Sequence, residues 1–135
     1  MLRSAGKTGA QLAVLFAAAC GGSYGSTDMQ VAGSYDGHLL VEGTEVSGIL
    51  DIAQTGTELL ATFNAASIGL VAQGSGTIRN DQMELTLSYS FQCPGTAILR
   101  GRITAENMRY TGEITASDCT GDVFGTFSFT PRQPR

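Results

Sequence analysis

The sequence is short of the side chains on which most metal and catalytic sites depend. Its 135 residues include no tryptophan, one histidine, His38, and one lysine, Lys7. The three cysteines, Cys20, Cys93 and Cys119, are not arranged with CxxC spacing, so the sequence offers no zinc-binding cluster. We therefore predict no metal site and no cofactor.

Catalytic groups are equally hard to assemble. No serine or cysteine stands in a nucleophile motif beside His38, which predicts a surface histidine. The carboxylates Asp36, Asp51, Glu84 and Glu113 fall at outward positions of different predicted strands, as is typical of a solvated surface and not of an acid–base pair. We predict that the protein is not an enzyme and has no catalytic residue.

Positive charge is also scarce. The formal net charge is −4, from 8 basic and 12 acidic residues. Residues 1–19 hold two of the basic residues and no acid, so without them the balance is 6 against 12, or −6. The remaining basic residues are scattered arginines, and this balance argues against nucleic acid as a partner.

The first nineteen residues have the pattern of a signal peptide. Residues 1–7 carry Arg3 and Lys7, and residues 10–19 form an apolar run. That run is too short to span a bilayer as a helix, but it has the length of a signal-peptide core. We predict a signal-peptide helix over residues 1–19.

The apolar run ends in Ala17-Ala18-Ala19-Cys20-Gly21, which resembles the lipobox of bacterial lipoproteins. The resemblance implies that Cys20 is acylated, becomes the mature N-terminus and anchors the protein to a membrane, with residues 20–30 as a lipidated flexible tether. Gly21 after the cysteine resembles lipoproteins sent to the outer membrane of the cell envelope. The alternative is ordinary cleavage near Ala19, which would leave a secreted or periplasmic protein with a free Cys20.

From residue 31 onward, apolar and polar residues alternate between turn signals, which indicates strands. We predict a single all-β domain over residues 31–131 and a short tail over 132–135. Eight strands are predicted, at residues 32–41, 46–54, 57–64, 70–79, 82–91, 97–104, 108–116 and 123–130.

The predicted connections are of two kinds. Residues 55–56, 80–81 and 106–107 fit two-residue hairpin turns. The other four connections are longer, at residues 42–45, 65–69, 92–96 and 117–122. Because turns alternate between the two ends of an up-and-down meander, the sequence predicts one closed end and one open end with long loops.

Glycine is abundant, at 18 residues, and it recurs on the inward face of most predicted strands. Such glycines let a strand coil sharply, and a facing large side chain can cover the gap, so the pattern favours a small closed antiparallel barrel over a sandwich. The alternative is that glycine only reflects a glycine-rich genome. The two-residue turns predict two pairings across the sheet, Gly76 with Leu85 and Gly48 with Phe63. Keeping the inward faces aligned predicts two more, Gly112 with Phe127 and Leu87 with Gly101.

The predicted interior is apolar and holds no charged residue. An eight-stranded barrel is just wide enough to be filled by side chains or to hold one small ligand. The interior is therefore either a packed core or a site for something apolar. The predicted lining is Tyr35, Leu39, Val41, Leu50, Ile52, Leu59, Phe63, Ile78, Met83, Leu85, Leu87, Tyr89, Phe91, Leu99, Ile103, Tyr110, Ile114, Val123, Phe127 and Phe129.

Two cysteines fall in long loops at the predicted open end. Cys93 and Cys119 would be close there, and a signal peptide implies a compartment in which disulfides persist. We predict a disulfide between them.

The first predicted strand opens on Gly33-Ser34-Tyr35, which resembles the start of the lipocalin and avidin group of ligand-binding barrels. In that group Gly-x-Trp opens the barrel and the aromatic ring plugs its closed end, so the resemblance implies that Tyr35 takes this place. Small envelope lipoproteins that inhibit lysozyme or proteases are similar eight-stranded barrels.

The leading functional hypothesis is a membrane-tethered barrel that binds a small apolar molecule at its open end. The predicted ligand-binding residues are Phe63, Leu70, Tyr89, Phe91 and Val123. One alternative is a barrel whose long loops grip an envelope protein as an inhibitor or interaction module would. Another is a purely structural envelope protein with a filled core.

Overall fold

A computed structural model describes residues 28–132. The predicted signal peptide over 1–19, Cys20, most of the predicted tether and residues 133–135 of the predicted tail lie outside this range. Within the described residues, no helix has the length and apolar character needed to cross a membrane.

The chain forms a closed antiparallel barrel of eight strands, each paired with its neighbours in the sequence, and the eighth paired with the first. The predicted fold class is thereby confirmed. The strands are β1 Gly33–Val41, β2 Thr44–Thr55, β3 Glu58–Ala65, β4 Leu70–Arg79, β5 Gln82–Ser90, β6 Pro94–Thr104, β7 Arg109–Asp118 and β8 Gly121–Pro131. A 3-10 turn, Ala66–Ile68, connects β3 to β4.

Two of the four predicted pairings are confirmed. Asn80 adopts a φ of 58° in a two-residue turn, which pairs Arg79 with Gln82 and brings Gly76 opposite Leu85. Gly112 is paired with Phe127. Turn chemistry was sufficient to set the register between β4 and β5, and the alignment of inward faces was sufficient between β7 and β8.

The other two pairings are wrong. Phe63 is paired with Leu50 instead of Gly48, because the β2–β3 turn lies one residue later than predicted, with Gly56 at a φ of 63°. Gly101 is paired with Met83 instead of Leu87, because the β5–β6 connection is shorter than predicted.

The predicted contrast in loop length between the two ends is also wrong. At the predicted open end the connections are residues 42–43, 66–69, 91–93 and 119–120, and at the other end they are 56–57, 80–81 and 105–108. The connection at residues 42–43 shows the physical reason, because Glu42 and Gly43 have φ angles of 51° and 82°. Two positive φ angles suit the tightest hairpin turn, so the strands continue into segments that had been predicted as loops.

The end of the barrel that carries the connections 56–57, 80–81 and 105–108 is closed by the segment that precedes β1. Val31 is fully buried there, and its carbonyl oxygen accepts a hydrogen bond from the Tyr35 hydroxyl at 2.7 Å. The Gln54 side chain accepts from the Val31 backbone N–H at 2.7 Å and donates to the Met29 carbonyl at 3.0 Å. We call this end, with its Val31 plug, the closed end.

Sixteen of the twenty predicted lining residues are buried, which confirms the inward face of the strands over most of the barrel. The four exceptions are Val41, Tyr89, Phe91 and Val123, which are partly or largely exposed. All four lie near the end opposite the plug, which we call the open end. The interior is therefore packed at one end and accessible at the other.

Candidate functional site: an apolar cavity at the open end

A cavity of about 280 Å³ enters the barrel at the open end. It lies between the inward faces of the strands and is bounded mostly by apolar side chains. Ligand pockets in proteins are concave and mostly apolar, with a few polar groups that orient the ligand. This cavity has that character and is therefore the candidate site.

Small inward side chains create the cavity. Ala72 on β4, Ala97 on β6 and Ala116 on β7 line it, and all three are buried. At matching inward positions toward the closed end the chain carries large residues such as Ile78 and Tyr110, which are buried and fill the space. The cavity thus results from a change in side-chain size along the barrel axis, within one continuous wall.

The floor of the cavity is aromatic and rigidly supported. Phe63 lines it, and its ring meets that of Phe129 edge-on, with ring centroids 5.8 Å apart. Phe129 in turn lies 5.9 Å from Phe127, which is 4.6 Å from Tyr110. Edge-to-face and tilted contacts of this kind are favourable beyond the area that they bury. The floor is consequently a preformed apolar surface that a ligand can use without rearranging it.

All five residues that the sequence suggested for ligand binding lie on the cavity lining. Phe63 is on the floor, while Leu70, Tyr89 and Val123 are half-buried at the rim. Phe91 lies in the β5–β6 connection and is 46% exposed. The structure therefore brings together residues from five different segments of the chain at one opening.

One charged side chain reaches the lining, contrary to the uncharged interior that the sequence had suggested. Asp118 lies in the predicted loop 117–122, but β7 extends to it. Its inward position continues the period-2 series Tyr110, Ile114, Ala116. The Tyr89 hydroxyl donates to Asp118 Oδ2 at 3.4 Å. A carboxylate and a phenol thus stand together at the rim.

The electrostatics of this pair follow from its position. Burial raises the pKa of the Tyr89 phenol, and the nearby charge of Asp118 raises it further. Hydrogen bonds from the Thr120 hydroxyl and backbone N–H lower the pKa of the Asp118 carboxyl. Asp118 is consequently ionised at neutral pH while Tyr89 keeps its proton.

The predicted disulfide is present beside this pair. Cys93 and Cys119 are bonded, with their Cα atoms 6.1 Å apart, and the bond ties the β5–β6 connection to the β7–β8 turn. The β5–β6 connection carries Phe91 and Gln92, both on the cavity lining. Asp118 lies close to both sulfur atoms, but disulfide sulfurs are not the thiolates that bind metals. The disulfide therefore braces the rim.

The polar residues considered for catalysis lie on the outside of the barrel. His38 Nδ1 is 4.0 Å from Glu45 Oε2, and both side chains are exposed. Glu84 on β5 forms an exposed ion pair with Arg100 on β6, with 3.0 Å between Arg100 Nε and Glu84 Oε2. Arg100 also lies opposite Glu113 on β7 in the sheet register, but its side chain turns to Glu84. Exposed pairs of this kind contribute little to stability.

Missed by the sequence analysis were the three cavity alanines, Asp118 and four other lining residues, Thr44, Val46, Ile68 and Gln92. Asp118 could have been found by continuing the alternation of β7 past Ala116, and Val46 by extending the inward face of β2 back from Leu50. The alanines carry no signal of their own, because a small inward residue is compatible with a packed core as well as with a cavity.

Comparison with known proteins gives a likeness in structure alone. No family model matches the sequence, and no curated protein matches it. A solved structure of EF1p2_mFAP2b bound to DFHBI is similar, with a TM-score of 0.60 and 13% sequence identity over 76% of this chain and 94% of that one. At this identity the likeness shows a shared barrel fold.

Proposed function

We propose that this protein binds a small apolar molecule in the open-end cavity and does not transform it. The observation that carries the proposal is the cavity itself, which is apolar, open at one end and built on a rigid aromatic floor. Its volume of about 280 Å³ is near the lower limit of typical ligand pockets, so the ligand is compact. A similar barrel bound to DFHBI supports the same use of the fold.

Filling the cavity is expected to weaken ligand binding. We expect the apolar fluorophore N-phenyl-1-naphthylamine to bind the wild-type protein and Ala97→Leu to weaken that binding about tenfold or more, a loss of about 1.4 kcal/mol. Ala97 is buried on the cavity lining, so the larger side chain occupies the ligand's space. Fluorescence titration measures both affinities.

The matched control for this titration is Thr96→Leu, which adds the same side chain at the adjacent, exposed position of β6. It is expected to bind the fluorophore as the wild type does. Equal affinity in the wild type and Ala97→Leu would show that the fluorophore does not enter the cavity, and absence of binding to the wild type would contradict the proposal.

We propose further that the protein is a lipoprotein of the bacterial cell envelope, anchored through Cys20. The disulfide supports an oxidising compartment. Asp28, eight residues after Cys20 in the sequence, lies at the closed end, where its carboxylate accepts a hydrogen bond from the Asn80 N–H at 2.6 Å. An anchor that precedes this point would leave the cavity mouth on the side of the barrel away from the membrane.

Metabolic labelling with palmitate tests the anchor. The wild-type protein is expected to incorporate label and to fractionate with membranes, because several acyl chains give stable attachment where one does not. Cys20→Ala is expected to lose both properties. If Cys20→Ala still fractionates with membranes, the lipoprotein proposal is wrong.

The alternative of a barrel that grips a protein partner has less support. It was motivated by long loops, whereas the connections at the open end contain two to four residues. The alternative of a purely structural barrel needs a filled core, and the cavity argues against it. Ligand binding accounts for the small inward residues, which neither alternative explains.

A further inference from the structure

We propose that the ligand is an organic cation, with an apolar body in the cavity and a protonated amine or other cationic group at Asp118. This inference rests on the proposed function, since it assigns the chemical class of the molecule that the cavity binds. It is carried by two independent observations. They are the position of Asp118 on the lining and the distribution of charge over the barrel.

Asp118 is held as a fixed acceptor at the mouth. Its Oδ1 atom accepts from the Thr120 backbone N–H at 2.8 Å and from the Thr120 hydroxyl at 2.6 Å. Its Oδ2 atom has the long contact of 3.4 Å with the Tyr89 hydroxyl. A carboxylate has about four lone-pair sites, so Oδ2 can accept a strong, charge-assisted hydrogen bond from an ammonium group.

No other charged side chain lines the cavity within residues 28–132. A ligand that enters therefore meets a mostly apolar surface and a single negative charge at the rim. An amphiphile with one positive group matches this arrangement, because its body is desolvated by the apolar wall while its charge is neutralised at the mouth. A ligand carboxylate would be repelled from the same position.

The other charged side chains around the open end are also negative. Four carboxylates lie at or beside the turns of the open end, those of Glu42, Glu45, Asp118 and Asp122. In the described part of the chain, no lysine or arginine accompanies them. The arginines of residues 28–132 all lie in the half of the barrel nearer the closed end, at Arg79, Arg100, Arg102, Arg109 and Arg132. A mouth surrounded by charges of one sign attracts ligands of the opposite sign.

Tyr89 supports a cation at the same place. Its ring lies at the rim and packs against Gly95, where a Cβ atom would come within 2.5 Å of the ring. The Tyr89 hydroxyl lies 3.4 Å from Asp118 Oδ2, and a phenol oxygen accepts as well as donates hydrogen bonds. Tyr89 thus offers an ammonium group a second acceptor beside the Asp118 carboxylate.

Three ligands that share an eight-carbon chain and differ in their head group test the inference. We expect octylamine, which is protonated at neutral pH, to displace N-phenyl-1-naphthylamine from the full-length protein about tenfold more strongly than octanol, a difference of about 1.4 kcal/mol. Octanoate is expected to compete less well than octanol. Raising the ionic strength is expected to reduce the preference for the amine, because salt screens the attraction.

Two variants locate the charge that recognises the amine. Asp118→Asn keeps oxygen and nitrogen atoms at the rim but removes the charge. It is expected to bring the affinities for octylamine and octanol within about threefold of each other, a difference of less than about 0.7 kcal/mol. Asp122→Asn removes a charge from the same turn at an exposed, outward position of β8, and is expected to keep the preference.

The outcomes separate this inference from the proposed function. Equal competition by octylamine and octanol in the wild type would overturn the inference and leave apolar binding in place. A preference that survives Asp118→Asn, or that Asp122→Asn abolishes equally, would also overturn it. Absence of fluorophore binding to the wild type would instead contradict the proposed function. The ionic-strength series on the wild type needs no variant and tests the inference even if Asp118→Asn does not fold.

Discussion

Replacing Gly112 with valine is expected to destabilise the barrel by about 3 kcal/mol or more. Gly112 on β7 is paired directly with Gly101 on β6. A Cβ atom at Gly112 would lie 2.1 Å from the Arg100 carbonyl oxygen and 2.5 Å from the Gly101 Cα atom. Both are backbone atoms, so the strands themselves would have to separate to accommodate the side chain.

The buried Tyr110 lies beside this pair of glycines. The buried Tyr110 side chain starts on β7 and donates to the carbonyl oxygens of Met83, on β5, and Leu99, on β6. It therefore crosses β6 on the inner face of the barrel, at the level where Met83 pairs with Gly101. A larger side chain at Gly112 would disturb both the ladder and this buried hydroxyl, which is costly to leave without partners.

Urea denaturation measures the effect of Gly112→Val, through a fall in the unfolding midpoint at unchanged slope. The control is Ala116→Val, on the same strand and the same face, where the added methyl groups enter the cavity; its change in stability is expected to be below about 1 kcal/mol. If Gly112→Val unfolds at the wild-type midpoint, the close approach of β6 and β7 described here is wrong.

Removing the disulfide is expected to cost about 3 to 4 kcal/mol on the chain-entropy account. The bond joins residues 26 apart in the sequence, so the double variant Cys93→Ser, Cys119→Ser releases a large loop in the unfolded chain. In the folded state it also frees the connection that carries Phe91 and Gln92, so ligand affinity is expected to fall as well.

Reductant provides the matched comparison for the disulfide. Denaturation with dithiothreitol is expected to lower the wild-type midpoint to that of the double variant and to leave the double variant unchanged. Equal midpoints for the oxidised wild type and the double variant would contradict the stabilising role of the bond.

The barrel could be predicted from the sequence because its determinants are local. Alternation of apolar and polar residues indicates a strand and its inward face at once, and glycine at inward positions indicates strong curvature. The turn at Asn80 set its register correctly for the same reason. The lengths of other turns were not predictable in this way: Glu42 adopts a left-handed φ of 51° that its residue type does not signal.

The site was predictable in part. The five suggested residues lie on the lining because inward strand positions near one end must converge there. The existence of a cavity was left open, because it depends on whether facing side chains meet across the barrel. Ala72, Ala97 and Ala116 determine that outcome. Their spatial proximity depends on strand register, and the predicted register of β5 and β6 was wrong.

Native mass spectrometry of the protein isolated from its own cells tests ligand binding most directly. We predict that the wild-type protein carries a non-covalent molecule of discrete mass, released on unfolding, and that Ala97→Leu carries none. A wild-type protein that is free of any such molecule, and that also fails to bind N-phenyl-1-naphthylamine, would contradict the account of the open-end cavity as a binding site.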